Sequence, residues 1–354
     1  MDWNNIHSDF QLNGVVVSKK GITELSCYLI KEGVTFEKEI GEFLQQWINA
    51  TETVVVQTSG STGVPKSIEL QKKHMVNSAR ATGAFFHLKP KDSALLCMSV
   101  SYIAGKMMLV RAMVLGLHLT AISAKSNPLE GISRAFDFSA MVPMQLQNSL
   151  DKIKSIKTVI IGGAPMSLTL IEKIKDIKTR VFETYGMTET ITHIALKKIS
   201  KNSENTFIAL PEVILSKDNR GCLVINAPQI SNIPVVTNDL VELLSETEFT
   251  WLGRYDSIIN SGGVKLIPEQ IEEKLSSIIK NRFFVAGIPD EILGQKLVLL
   301  IEGEIDTLEV VGKIKQLPNI GKYQIPKEAH SVPCFVYTPN GKINRKATLE
   351  SLNL

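Results

Sequence analysis

The chain has 354 residues, of which 44% are hydrophobic and 21% charged, with a formal net charge of +3. This is ordinary globular composition, long enough for two cores, and too nearly neutral for a nucleic-acid surface, since the basic residues are spread along the sequence. The four cysteines, Cys27, Cys97, Cys222 and Cys334, form no C-x-x-C pair and have no histidine at ligand spacing, which argues against a zinc site and for a reducing compartment. The N-terminus carries no leader pattern, and the longest apolar run, residues 107–122, is broken by Arg111, so a cytoplasmic protein without membrane insertion is expected.

Residues 36–48 place apolar side chains at helical spacing and read as scaffold. The β-branched run 53–57 reads as a buried strand and 67–70 as a second one, so Thr58-Ser59-Gly60-Ser61-Thr62-Gly63-Val64-Pro65-Lys66 is a hairpin tip. It is not a Walker loop, because its glycines are three apart and Pro65 stands where that motif needs glycine. Bare amides, four hydroxyls and one ammonium suit a phosphate chain, and equally a solvated turn.

Residues 71–88 then read as a helix burying Met75, Ala79, Thr82 and Phe86, followed by a strand at 93–98 and a long buried helix over 102–117. Strand candidates at 118–122, 140–142 and 158–161, a helix starting at Pro143, an amphipathic stretch over 168–177 and a strand at 180–183 give a βαβ rhythm. That rhythm implies a parallel sheet with covered faces, with ligands at the carboxyl ends of its strands. The turns at Gly162-Gly163-Ala164-Pro165 and Tyr185-Gly186-Met187-Thr188-Glu189 lie at such ends. From Phe207 short strands with turn signals suggest a β-rich subdomain, and beyond residues 253–256 a smaller α+β unit follows, with Gly262-Gly263 at a hairpin tip.

The order of these turns, together with Thr237-Asn238-Asp239, Gly253-Arg254-Tyr255-Asp256 and Pro339-Asn340-Gly341-Lys342-Ile343, resembles the acyl-adenylate-forming enzymes from about residue 53 to the end. The resemblance implies an α/β fold. A large N-terminal adenylate-binding domain over 1–253, shortened at its start, would combine parallel-rich sheets flanked by helices with the β-rich subdomain. A hinge at 254–256 and a small mobile α+β lid domain over 257–354 would follow.

The family's roles map onto this sequence residue by residue. The loop Thr58, Ser59, Gly60, Ser61, Thr62, Gly63 and Lys66 would be a mobile cover over the β and γ phosphates of ATP. Gly162, Gly163, Ala164 and Pro165 would flank the adenine, Tyr185 stack on it beside Gly186, and Thr188 reach the α-phosphate. Glu189 would hold Mg²⁺, which prefers hard oxygen ligands. Asp239 would accept the ribose hydroxyls with Arg254 beside it, Asp256 act as hinge, and Lys342 bridge carboxylate and α-phosphate during adenylation. Gly262 and Gly263 would then leave room for the pantetheine arm of CoA. Asn238 departs from the family's glycine, and the expectation is that asparagine tolerates a left-handed turn there.

The strings around residues 101–106, 141–146, 190–193 and 251–266 are similar to the o-succinylbenzoate-CoA ligases of menaquinone biosynthesis, one branch of that superfamily. This implies ATP, Mg²⁺ and CoA as the small molecules handled. It also implies an apolar acyl pocket with a cationic or hydroxyl anchor for a second carboxylate, for which Thr192, His193, Lys106 and Arg111 are the candidates. A stand-alone adenylation domain serving another acid or a carrier protein, and a degenerate adenylate-binding protein, are the other readings. The glycine loop also begins earlier than in most relatives, so a missing segment is either dispensable or supplied by a homodimer partner.

Overall fold

The computed structural model describes residues 5–57, 67–337 and 343–352. It opens with a hairpin, β1 (Gln11–Leu12) and β2 (Val15–Val16), turned by Asn13 and Gly14 at φ 49° and 85°. Helices α1 (Gly21–Glu32) and α2 (Thr35–Ile48) then pack as a pair, so closely that a Cβ on Gly41 would lie 2.8 Å from the Ser26 carbonyl oxygen. β3 (Thr53–Gln57) and β4 (Ser67–Gln71) form an antiparallel two-stranded sheet of their own, as the sequence predicts. Thr58 to Lys66, and with them the expected phosphate cover, lie outside the described residues.

The βαβ segment runs α3 (Lys72–Phe86), β5 (Ser93–Leu96), α4 (Ile103–Leu115), β6 (His118–Ala121), β7 (Phe136–Met141), α5 (Pro143–Asn148), β8 (Ile156–Ile161), α6 (Leu168–Ile174) and β9 (Arg180–Gly186). β1, β6, β5, β7, β8 and β9 lie side by side and parallel. α4 is apolar nearly all round because it is buried nearly all round. α3 clamps the sheet through Phe85 and Phe86, whose rings meet Phe182 edge-on while Phe86 also meets Phe138.

After β9 the same sheet continues antiparallel. β10 (His193–Ile199), β11 (Phe207–Ala209), β12 (Ile214–Lys217), β13 (Cys222–Asn226), β14 (Val235–Leu243) and β15 (Glu248–Arg254) extend it in the order β10-β11-β15-β14-β13-β12. The β-rich region is therefore an extension of the parallel sheet, giving thirteen strands among the described residues. A second sheet follows, built from β16 (Ile259–Ser261), β17 (Val264–Leu266), β18 (Phe283–Asp290), β19 (Gly294–Glu302) and β20 (Glu328–Val332) with α7 (Pro268–Leu275), α8 (Thr307–Lys315) and α9 (Arg345–Ser351). It buries its own apolar clusters around Ile271, Leu299 and Ile314 on one side and Phe284 and Phe335 on the other.

Among the described residues no helix is long and apolar enough to cross a membrane. Residues 338–342, with Lys342, lie outside the described residues. On either side of them Tyr337 and Ile343 form an antiparallel bridge, and Arg345 bonds Glu272 of α7 at 2.8 Å.

Candidate active site

The carboxyl ends of β7, β8 and β9 deliver three turns to one edge of the sheet. After β8 the chain passes Gly162, whose added Cβ would lie 2.5 Å from the Thr184 hydroxyl, and Gly163 at φ 84°, while Ala164 and Pro165 are exposed. Only glycine lets the backbone run this close to β9 and then turn left-handed. At the end of β9, Gly186 makes an even closer approach, since a Cβ there would meet the Thr192 carbonyl oxygen at 2.2 Å. Between them Tyr185 is half-buried, edge-on to Phe207 and Phe249.

Asp239 arrives from the antiparallel half. It sits opposite Arg254 on β15 and is 6% exposed. Its carboxylate accepts the Tyr185 hydroxyl at 2.6 Å and the Trp251 indole N–H at 3.2 Å, and Arg254 lies 3.6 Å away. A bulge between Leu240 and Val241 in the β14–β15 register places Trp251 against Asp239. Burial first, then the Asp239 charge and hydrogen bond, pushes the Tyr185 phenol well up, so it stays a donor. Arg254 also grips Asp256 with two hydrogen bonds, 3.0 and 3.1 Å, and this pair holds the Asp256 carboxyl below its usual range.

Asn238 needs no left-handed backbone: it lies inside β14, outside the positive-φ residues, and its side-chain oxygen accepts from Arg220 at 2.8 Å. The expected turn is a strand, because the ladder to β15 fixes the chain as extended. Arg220, which also lies over the Tyr255 ring, carries no motif, and Trp251, although it opens the 251–266 string, shows its contact with Asp239 only in three dimensions.

Thr188 and Glu189 form a short 3₁₀ turn that lies against β4. The Glu189 side chain is exposed and has no ion-pair partner among the described residues, so its hard carboxylate oxygen would be available to a divalent cation. No cluster of three metal-ligating side chains occurs among the described residues. This donor set fits Mg²⁺, which needs one or two protein carboxylates and takes the remaining ligands from substrate and water.

Immediately after comes a γ-turn on Ile191, φ 66° and ψ −58°, closed by a 2.6 Å bond from the Thr192 amide to the Thr190 carbonyl. A buried β-branched residue in this conformation costs on the order of 1–3 kcal/mol. The Thr190 hydroxyl braces the turn by donating to the Thr192 carbonyl oxygen at 2.7 Å. The turn aims Thr192 and His193 back toward α4, where Arg111 is 1% exposed.

Arg111 donates to the Thr82 hydroxyl and the Thr192 hydroxyl, both at 3.3 Å. Thr82 spends its own proton on the Ser78 carbonyl at 3.0 Å, so it accepts from His193 Nε2 at 3.3 Å. That assigns the neutral tautomer with Nε2–H, leaving Nδ1 to accept from Thr192 at 3.2 Å. Burial and the Arg111 charge hold His193 well below its usual range, which agrees. Burial also pushes Arg111 down, to about 10, so it remains a cation at neutral pH. No carboxylate lies within ion-pair distance of it among the described residues.

Three of the four acyl-site candidates, Arg111, Thr192 and His193, are thus brought together. Lys106 is not: five residues along α4 from Arg111, it is buried over the Phe43 ring at 5.2 Å and donates to the Val100 carbonyl at 2.6 Å, near Glu39 and Glu42. The helical rotation of about 140° over five residues separates them. Gly262 and Gly263 form the exposed tip of the β16–β17 hairpin with φ 57° and 81°. Their first requirement is this left-handed turn, and an added Cβ on Gly263 would meet nothing within 4 Å.

The sequence model of the AMP-binding enzyme family matches residues 7–213, more than half the chain. A 2-succinylbenzoate–CoA ligase of Bacillus cereus (strain AH820) is 24% identical over 356 residues, covering 88% of this chain and 72% of that protein. One from Listeria monocytogenes is 26% identical over 389 residues, covering 96% and 82%. Among solved structures, an acyl-CoA synthetase (AMP-forming)/AMP-acid ligase II-like protein from Dyadobacter fermentans is 36% identical with a TM-score of 0.62, covering 93% of this chain and 98% of that one. The o-succinylbenzoate CoA synthetase of Bacillus subtilis, solved with ATP and magnesium ion, shares the fold with a TM-score of 0.71 at 19% identity, covering 95% and 82%.

Proposed function

Because the chain belongs to the AMP-binding enzyme family, we propose that it joins a carboxylic acid to CoA at the expense of ATP, and that the acid is o-succinylbenzoate. In the first half-reaction a carboxylate oxygen attacks the α-phosphorus and pyrophosphate departs, giving an acyl-AMP. In the second the CoA thiolate attacks the acyl carbonyl and AMP departs, giving the thioester. Bringing two anions together is the difficulty of the first step, and fixed positive groups aimed at the developing charge offset it.

The proposed roles follow the site. Gly162, Gly163, Ala164 and Pro165 flank the adenine and Tyr185 stacks on it next to Gly186. Asp239, already held by Tyr185, Trp251 and Arg254, takes the ribose hydroxyls. Thr188 meets the α-phosphate; Glu189 holds Mg²⁺, which neutralises phosphate charge when bound. Thr58, Ser59, Gly60, Ser61, Thr62, Gly63 and Lys66 cover the pyrophosphate. Lys342 bridges the two reacting anions, then is withdrawn by rotation of the 257–354 domain about Asp256, and Gly262-Gly263 takes its place to admit pantetheine. Such substrates fit a cytoplasmic enzyme.

The observation that carries the choice of acid is Arg111. An isolated buried cation is costly unless something compensates it, and here the guanidinium donates only to neutral acceptors among the described residues, the Thr82 and Thr192 hydroxyls and the Met108 thioether. A dicarboxylate brings that compensation: one carboxylate reacts while the other meets the guanidinium, with Thr192 and neutral His193 fixing its orientation. The test is pyrophosphate release across a panel of acids, with CoA or a carrier protein as acceptor. Turnover of o-succinylbenzoate with CoA supports the reading; none with that pair, beside turnover of a monocarboxylate or on a carrier, overturns it.

A further inference from the structure

At the opposite edge of the parallel sheet, the amino ends of β5, β7, β8 and β9 open on a cleft of about 700 Å³. Its rim carries Lys154, Lys157, Lys178 and Arg180, and its one acid is Asp137. Four cations against one carboxylate leave the lining at +3, the formal charge of the whole chain. Spread in sequence, these residues are gathered only because parallel strands start side by side.

The geometry is set in advance. Arg180 is pinned by two bonds from its guanidinium to the Thr158 hydroxyl, 3.0 and 2.6 Å, across the Thr158–Arg180 register of β8 and β9. Asp137 is engaged by the Ser93 amide and hydroxyl, 3.0 and 2.8 Å, so it reaches only Lys157, at 3.8 Å. Helix ends account for part of this charge, since Lys154 closes the 3₁₀ turn 150–155 and cations favour carboxyl ends of helices. That preference asks for no convergence, and crowding like charges around one hollow is unfavourable without a counter-charge. Phe136 and Ile156 close the floor with apolar surface.

We propose that this cleft is a second anion site, taking a polyphosphate group of a small molecule of nucleotide size, on the far edge of the sheet from the adenylate site. It does not depend on the functional reading above. The cleft is open to solvent, and its volume lies within the usual range of about 300–1,000 Å³ for small-molecule pockets, which is the size of the ligand proposed.

The test uses the full chain and inorganic tripolyphosphate. Lysine acetylation read by mass spectrometry is expected to show Lys154, Lys157 and Lys178 protected by the anion. Titration calorimetry on the Lys157→Gln/Lys178→Gln double variant is expected to show this binding weakened at least about tenfold. Both lysines are exposed, and Lys157 loses only a surface pair, so the variant is expected to fold. Protection confined to Lys66, unchanged affinity in the variant, or protection by phosphatidic acid vesicles and not by tripolyphosphate would overturn the proposal. The footprint on the unmodified chain decides the matter even if the variant fails to fold.

Discussion

The two halves of the candidate active site handle charge in opposite ways. Around Asp239 every charge is answered within the protein: Tyr185, Trp251 and Arg254 surround the carboxylate, and Asp256 takes the other side of Arg254. Around Arg111 the described residues supply hydroxyls, a thioether and a neutral imidazole, all uncharged. A ribose brings neutral hydroxyls, so its site can be balanced beforehand. A second substrate carboxylate brings a charge, so its site has to leave one open. Balance on one side and deficit on the other match the roles proposed for the two halves, ribose at Asp239 and a second substrate carboxylate at Arg111.

The largest effect expected comes from the residue proposed to span the two halves. Lys342→Ala is expected to lower ATP-dependent adenylation about 10³-fold while supplied acyl-AMP is still converted to thioester. Equal loss in both half-reactions, measured separately, would remove Lys342 from that role. Next, Arg111→Met is expected to lower kcat/KM for o-succinylbenzoate about 10²–10³-fold, as for truncating one partner of a buried charge pair, and to spare a matched monocarboxylate. Its Tm without substrate should hold or rise, because an uncompensated buried charge is removed. A Tm that falls by many degrees would mean that Arg111 is a structural cation, and the contrast between the halves would break.

On the balanced side, Asp239→Asn is expected to raise KM for ATP about 10–100-fold with little change in KM for the acid. Initial rates with each substrate varied in turn check this. Gly253→Ala probes the junction of the two sheets. Gly253 has φ 150°, and its added Cβ would lie 2.5 Å from Glu269 Oε2 of α7, a buried oxygen without a hydrogen-bond partner among the described residues. A loss of about 1–3 kcal/mol in denaturant unfolding is expected.

The smallest effect is the pH dependence contributed by His193. Its folded pKa is depressed from 6.5, so the unfolded chain takes up this proton first as pH falls. Its stabilisation is therefore complete above about pH 6.5 and declines below it, by at most about 1.4 kcal/mol per pH unit. His193→Gln is expected to flatten that part of a Tm-against-pH profile.

Local patterning made much of the scaffold legible. The β3–β4 hairpin, the buried face of α3 and the all-round apolar α4 follow from spacing alone, because periods of 2 and 3.6 residues fix which side chains share a face. Asn238 misled for an equally physical reason: a substituted glycine suggests a turn, but pairing of β14 with β13 and β15 on its two sides holds the segment extended. Lys106 stands apart because the charge of a side chain at the end of the 101–106 string says nothing about where it points around a helix axis.

By itself, then, the sequence determined the alternation of strands and helices, the ordered glycine and Thr/Glu turns at strand ends, and through them the adenylate-forming resemblance. Only the tertiary structure decided that Trp251 joins Tyr185 at Asp239, that a γ-turn on Ile191 aims His193 at Thr82, and that Arg111 stands buried without an acid beside it among the described residues. Charge balance depends on which groups share one hollow, and residues 29 and 81 positions apart along the chain meet Arg111 only once the sheet and α3 have closed over α4.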